Sequence, residues 1–80
     1  MTPSLNKLRW NFTTFQKLSR AHVDEVCVSP ETLNDLTLDM LRMGYAVNPL
    51  TIFSLKVTRC NDIEAGQYIW KYRGEMVGSS

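Results

Sequence analysis

The residue types that most often carry enzyme chemistry are few in this chain of 80 residues, and they stand apart. His22 is the one histidine, and no residue near it in sequence completes a catalytic or metal site. Cys27 and Cys60 are the two cysteines, and they lack the paired spacing of a zinc site. We therefore expect a partly exposed histidine and two structural thiols, with neither a metal nor a cofactor. Whether the two cysteines approach each other in space stays open.

Carboxylates stand close together at three places, which are Asp24-Glu25, Asp35 with Asp39, and Asp62 with Glu64. Asp35 and Asp39 lie one turn apart on a predicted helix, on its solvent side. A catalytic pair of carboxylates needs burial to shift a pKa, and this pattern indicates none. No phosphate-binding glycine loop or nucleophile motif is present. These features predict a protein that is not an enzyme and that acts by binding another macromolecule.

Charge is nearly balanced over the whole chain, at a formal +1, but it is unevenly distributed. The first 23 residues contain no acid and four bases, which are Lys7, Arg9, Lys17 and Arg20. Residues 24–43 contain five acids against one base. We interpret these regions either as solvated faces that attract each other within the fold, or as a basic docking surface for an acidic partner or for phosphates.

The length allows one domain with a modest core. No apolar leader follows Met1, no run has the length of a membrane span, and two cysteines do not form a secreted disulfide framework. We expect a protein of the reducing cytoplasm without membrane contact.

Two helices are predicted from apolar residues at spacings of three and four. Residues 4–20 form the first, with a buried stripe made by Leu5, Leu8, Phe12, Phe15 and Leu18. The β-leaning residues 11–14 leave a break in its middle open. Ser29-Pro30 begins the second, and Gly44 ends it. Its buried stripe is made by Leu33, Leu36, Met40 and Met43.

Three strands are predicted, over residues 25–29, 50–58 and 67–73. In the second strand, Phe53, Leu55 and Val57 share one face. The expected fold class is α+β, in the order helix-strand-helix-strand-strand, with a small antiparallel sheet and two helices packed on one face. We expect one domain over residues 1–80: an N-terminal amphipathic helix (1–22), a βαββ core (23–73) and a frayed tail (74–80).

Two apolar residues fall on the solvent side of the predicted helices. Trp10 projects away from the first buried stripe, near Lys7 and Lys17, and Leu38 projects away from the second. A tryptophan among cations on an exposed helix is typical of a protein-binding anchor. The alternative is that the first helix breaks and Trp10 covers the core. A helix carrying an exposed Trp10 could also form a homo-oligomer.

Tyr68, Trp70 and Tyr72 form an aromatic row beside Lys71. Such rows stack on bases in proteins that bind single-stranded nucleic acid. The alternative is that one helix covers the row as part of the core. The near-zero net charge counts against nucleic acid as a partner.

Residues 26–33, 50–57 and 60–70 carry patterns that together resemble the peripheral domain of tailed-bacteriophage major capsid proteins. Residues 26–33 (VCVSPETL) are similar to the capsid step from a strand through V-S-P-E-T-L into a helix. Residues 50–57 (LTIFSLKV) and 60–70 (CNDIEAGQYIW) resemble the following strand, turn and closing strand. Ser54 stands where the capsid pattern has glycine, and Glu64-Ala65 replaces its proline step. The resemblance covers residues 23–73 and implies a phage or prophage accessory protein, since one small domain cannot build a shell lattice.

Three hypotheses follow. The first is a non-enzymatic phage-type accessory protein that binds a virion component or modulates capsid assembly, located in the bacterial cytoplasm or on the virion. The second is a host-directed phage protein that inhibits a bacterial enzyme or is sensed by a defence system. The third is single-stranded nucleic-acid binding through the aromatic row.

Overall fold

The computed structural model describes residues 3–20 and 22–80, which form two helices and a five-stranded sheet. The elements in chain order are α1 (Pro3–Ser19), β1 (Glu25–Val28), α2 (Pro30–Arg42), β2 (Thr51–Ile52), β3 (Leu55–Arg59), β4 (Tyr68–Tyr72) and β5 (Glu75–Ser79). The predicted α+β class and the helix-strand-helix-strand order are confirmed. Within the described residues, no helix is long and apolar enough to cross a membrane.

The sheet is mixed, with the strand order β2-β3-β1-β4-β5. The central strand β1 runs parallel to β3 and antiparallel to β4. A fully antiparallel sheet was therefore the wrong expectation. A parallel pair needs a crossover connection of roughly a dozen residues or more, and α2 with the loop after it supplies one between β1 and β3.

Helix α1 is continuous, so the break considered at residues 11–14 does not occur. The Asn11 side chain donates a hydrogen bond to the Lys7 carbonyl (2.8 Å) and stays compatible with the helix. Leu5 and Leu8 are buried, and Phe12 and Phe15 pack against the core, as predicted. Leu18 is 80% exposed, so the prediction that it belongs to the buried stripe was wrong. At about 100° per residue, Leu18 lies at the margin of the stripe and turns outward in the last turn.

Helix α2 begins as predicted, because the Ser29 hydroxyl accepts a hydrogen bond from the Thr32 amide at 3.2 Å. Gly44, with a φ of +85°, follows its last turn. Met43 is half-exposed rather than buried, since it caps the helix beyond the packed turns. Asp39 is 5% exposed rather than on the solvent side, because it follows the buried Thr32 and Leu36 by seven and three residues and so lies on their side of the helix.

The single strand predicted over residues 50–58 is a hairpin of β2 and β3. Phe53 and Ser54 form its turn, with φ values of +53° and +65°, and this pair of positive angles is that of a type I′ turn. The turn changes which side chains share a face. Ile52 and Leu55 point into the core as a cross-strand pair, while Phe53 is half-exposed at the tip.

Both helices cover the same face of the sheet, as predicted. That face is continuous across the central strands, because Val26 lies opposite Val57 on one side and Trp70 on the other. The buried cluster between helices and sheet consists of Leu5, Leu8, Val26, Val28, Leu36, Met40, Leu50, Ile52, Leu55, Val57, Tyr68 and Trp70.

The C-terminal residues form the edge strand β5, so the predicted frayed tail is wrong. Arg73 and Gly74 make a second two-residue turn with positive φ values, +52° and +83°. The chain end is held by two backbone hydrogen bonds between Tyr68 and Ser80 (2.8 and 2.9 Å). The Trp70 indole also donates a hydrogen bond to the Ser80 hydroxyl at 2.8 Å.

Candidate functional site

Trp10 lies on the outer side of α1 and is 74% exposed. Because α1 is continuous, Trp10 points away from the sheet, and the alternative in which it covers the core is contradicted. Its ring lies beside a shallow depression lined by Asn6, Arg9 and Thr13. The indole is therefore available to a partner without any change in the fold.

Lys17 follows Trp10 by seven residues, or about two helical turns, so the two side chains project from nearly the same side of α1. Lys17 is exposed. Leu18 is the most exposed large apolar side chain of the described residues, but it points about 80° away from Trp10 around the helix axis. We call Arg9, Trp10, Thr13 and Lys17 the Trp10 face. It combines an exposed indole with two cations.

The other two predicted partner-binding residues differ in their relation to Trp10. Lys7 precedes Trp10 by about one turn of α1, and its side chain extends across Gly66, where an added side chain would overlap its ammonium group. Leu38 lies on α2 and is half-exposed beside Leu41, one turn further on. Of the four predicted residues, Lys7, Trp10 and Lys17 therefore share one helix, and Leu38 lies on the other.

The predicted aromatic row is mostly core. Tyr68 and Trp70 are 1% and 0% exposed, and their rings stack with centroids 5.5 Å apart. Phe12 and Phe15 of α1 cover them, with centroids 5.8 and 5.5 Å from that of Trp70. The base-stacking surface proposed for these residues is therefore wrong, because the helix already occupies the space above the rings.

The other two residues of the nucleic-acid hypothesis point in different directions. Tyr72 is partly exposed and lies between the His22 ring (5.7 Å between centroids) and the Arg73 guanidinium (5.3 Å from the ring centroid). Lys71 is on the opposite face of the sheet, since it is paired with Glu25. The two side chains do not form one basic aromatic surface.

The cysteines fit the prediction of structural thiols. Cys27 is buried, and its Sγ lies 3.0 Å from the Thr58 hydroxyl, which donates in turn to the Glu25 carboxylate at 3.0 Å. Cys60 is partly buried, and both thiols are free. Among the described residues, no group of three metal-ligating side chains occurs.

An apolar groove was not predicted from the sequence. It lies between the end of α2 and the β2–β3 hairpin, and it is lined by Leu5, Met40, Met43, Tyr45, Thr51, Ile52 and Phe53. The groove could not be predicted because it depends on the turn at residues 53–54, which places Phe53 beside the end of α2.

A polar cleft of about 230 Å³ lies between α1, the first turns of α2 and the loop before β4. It is lined by Ser4, Lys7, Glu31, Thr32, Asp35, Ala65, Gly66 and Tyr68. The Tyr68 hydroxyl is buried and has no hydrogen-bond partner in the described part of the chain. Burial raises the pKa of Tyr68 above its usual value, because the ionised form loses its hydration.

Comparison with protein-family models, curated proteins and solved structures finds no match. The resemblance of residues 23–73 to phage capsid domains is therefore neither supported nor contradicted by a relative. Function has to be inferred from the surfaces of the molecule itself.

The lone hydroxyl of Tyr68 allows a prediction for stability. Tyr68→Phe should raise the free energy of unfolding by about 1 kcal/mol, because a buried hydroxyl without a partner costs roughly 1–3 kcal/mol. Urea denaturation at neutral pH measures the change.

The raised pKa of Tyr68 means that wild-type stability falls as the pH rises above about 10, where the tyrosine of the unfolded chain ionises first. Tyr68→Phe should lose less stability over that range. A decrease in stability at neutral pH would show instead that the hydroxyl is satisfied.

Proposed function

We propose that this chain is a non-enzymatic protein that acts by binding another protein through the Trp10 face. The observation that carries the proposal is the 74% exposure of Trp10 on a continuous helix. Tryptophan is the residue type most enriched at the energetic centres of protein interfaces. An exposed tryptophan that does not support the fold is best explained by a surface that becomes buried on binding.

The basic side chains of helix α1 favour an acidic partner. Its described residues include Lys7, Arg9 and Lys17, with Arg20 directly after its end, and no acid lies between residues 3 and 20. A partner surface that is acidic around an apolar notch would complement the two cations and the indole. Charge complementarity of this kind speeds association and weakens it at high salt.

A phage or prophage origin, which the sequence resemblance implies, would supply the setting for this binding. The similarity of residues 26–33 and 50–70 to a capsid peripheral domain supports an accessory protein that binds a virion component or modulates capsid assembly. The alternative setting is a host-directed protein that inhibits a bacterial enzyme or is sensed by a defence system. Both settings use the same surface, and they differ in the identity of the acidic partner.

Trp10→Ala should weaken partner binding by at least about 30-fold, since loss of an interface hot spot costs roughly 2 kcal/mol or more. The tagged chain is first used to purify its partner from bacterial lysate, with and without phage infection, and the affinity is then measured on the purified pair. Tyr45→Ala is the matched control, because it removes an exposed aromatic side chain from the apolar groove. We expect the control to bind like the wild type.

The outcomes separate the hypotheses. A virion component lost from the Trp10→Ala sample supports the assembly role, and a host enzyme or defence protein supports the host-directed role. Equal binding by Trp10→Ala and wild type would contradict the Trp10 face. If Tyr45→Ala alone abolished binding, the apolar groove would be the interface.

A further inference from the structure

We propose that a second copy of this chain is a partner of the Trp10 face, in a two-fold dimer that packs α1 of each copy on α2 of the other. Such a dimer rests on the proposed function, because it uses the same surface and names one protein that fits it. Three features support the dimer: the direction of the exposed apolar side chains, the opposite charges of the two helices, and the size of the helix layer.

The first feature is the outward direction of one apolar side chain on each helix. Trp10 follows the buried Leu8 by two residues, so at about 100° per residue it points away from the sheet. Leu38 lies midway between the buried Leu36 and Met40, so it points away from the sheet on α2. Both helices pack on the same face of the sheet. The indole and the leucine therefore project from the same side of the molecule.

The second feature is the charge around these two side chains. Arg9 and Lys17 are exposed on α1, which carries no acid among its described residues. Glu31 and Asp35 are exposed on α2, seven and three residues before Leu38, so they lie within two turns of it on the outer side. Within the described residues, neither carboxylate forms an ion pair with a base of α1. The outer layer thus has a basic half and an acidic half.

A two-fold axis perpendicular to this layer makes the surface complementary to itself. It places the basic α1 of one copy over the acidic α2 of the other, and the same contact forms a second time. A symmetric dimer requires this kind of self-complementary patch. Arg42 is a base in the last turn of α2, but it lies about two turns beyond Asp35, at the opposite end of the helix from the carboxylates.

The third feature is the size of the layer. Helices α1 and α2 have 17 and 13 residues, so they are roughly 25 and 20 Å long. Packed helices lie about 10 Å apart, so their outer layer covers roughly 500 Å² on each copy. Specific interfaces bury at least about 1,000 Å² over the two partners. The layer is therefore just large enough for a weak dimer, with a dissociation constant on the order of 10 μM.

Sedimentation equilibrium of the whole chain, from about 1 to 500 μM, measures this self-association. Raising the salt concentration from about 0.1 to 1 M should weaken the dimer, since the screening length falls from roughly 10 to 3 Å. Trp10→Ala should weaken it about 1,000-fold, because each dimer loses two indoles at roughly 30-fold each. Tyr45→Ala, which changes the apolar groove, should dimerise like the wild type.

Charge reversal tests the pairing of the two helices. One variant combines Arg9→Glu with Lys17→Glu, and the other combines Glu31→Lys with Asp35→Lys. Each variant alone should be monomeric, since both contacts of its dimer would join like charges. An equimolar mixture should form a heterodimer, because both contacts then join opposite charges again. The same mixture with Trp10→Ala in both chains should stay monomeric, which excludes attraction by net charge alone.

Three results would overturn the proposal. The first is a wild-type chain that stays monomeric over the whole concentration range. The second is a dimer that Tyr45→Ala dissociates and Trp10→Ala does not, which would place the interface at the apolar groove. The third is a mixture of the two charge-reversed variants that remains monomeric. A monomeric wild type whose lysate partner is lost in Trp10→Ala would reject only the second copy and retain the proposed function.

Discussion

Trp70→Ala should lower the free energy of unfolding by about 3–5 kcal/mol, whereas Trp10→Ala should change it by less than about 0.5 kcal/mol. Trp70 has no exposed surface, packs against Phe12, Phe15 and Tyr68, and donates a hydrogen bond to Ser80. Truncating a buried tryptophan to alanine costs about 3–5 kcal/mol. A domain of this length has a total stability of about 4–12 kcal/mol, so that loss removes much of it.

The two variants form a matched pair, because the substitution is the same and only the burial differs. Urea denaturation followed by far-ultraviolet circular dichroism measures the loss. Each variant also keeps one tryptophan, so the fluorescence of Trp10→Ala reports on Trp70 and that of Trp70→Ala reports on Trp10. Similar destabilisation by both substitutions would place Trp10 in the core and remove the basis of the Trp10 face.

Gly78→Ala should destabilise the protein by about 1–3 kcal/mol, as overpacking of a filled core does. Gly78 lies opposite Trp70 in the β4–β5 ladder, on the face that α1 covers. A methyl group there would overlap the Phe15 ring, which is itself stacked on Trp70 and has little freedom to move. The strand β5 or the end of α1 must therefore shift.

Thermal and urea denaturation of Gly78→Ala check this expectation, with Ser79→Ala as the control at the exposed neighbouring position. A second variant tests the cause. Shortening the opposing side chain with Phe15→Leu should cost less in the Gly78→Ala background than in the wild type, because the clash is relieved. Additive costs for the two substitutions would rule out the Phe15 contact as the reason.

Local signals explain why part of the structure could be predicted. Ser29 and Pro30 determine where α2 begins through contacts within one turn, so no distant residue is needed. The helical period alone placed Trp10 on the outer side of α1, since Leu5 and Leu8 define the inner side. The prediction that Leu18 and Met43 are buried was wrong, because a periodic stripe does not indicate where the packed surface ends.

Non-local pairing explains most of what could not be predicted. The Phe53-Ser54 turn has positive φ at two residues that are not glycine, and it lacks the Asn-Gly or Asp-Gly signal of such hairpins. Without that turn, residues 50–58 read as one strand. The strand β5 was missed because Gly78 and Ser79 weaken any strand pattern, and the strand depends on non-local contacts, which are its pairing with β4 and the Phe15 ring over Gly78.

The polar cleft could not be predicted for the same reason. Lys7, Glu31 and Tyr68 come from three elements that are far apart in sequence, and each one alone has an ordinary explanation. The unpartnered state of Tyr68 appears only when α1 closes over β4. Sequence periodicity indicated that Tyr68 shares a face with Trp70, but it carried no information about which groups surround the Tyr68 hydroxyl.

The central position of β1 has a consequence for how the chain folds. Both neighbours of β1 come later in sequence, at residues 55–59 and 68–72, and the helix α1 precedes them all. The first fifty residues therefore contain two amphipathic helices and one strand but no sheet to pack against. Folding has to wait for long loops to close, which is entropically costly and places such a topology among the slower small domains. We therefore expect the two halves of the molecule to fold in a single cooperative step rather than in the order of synthesis.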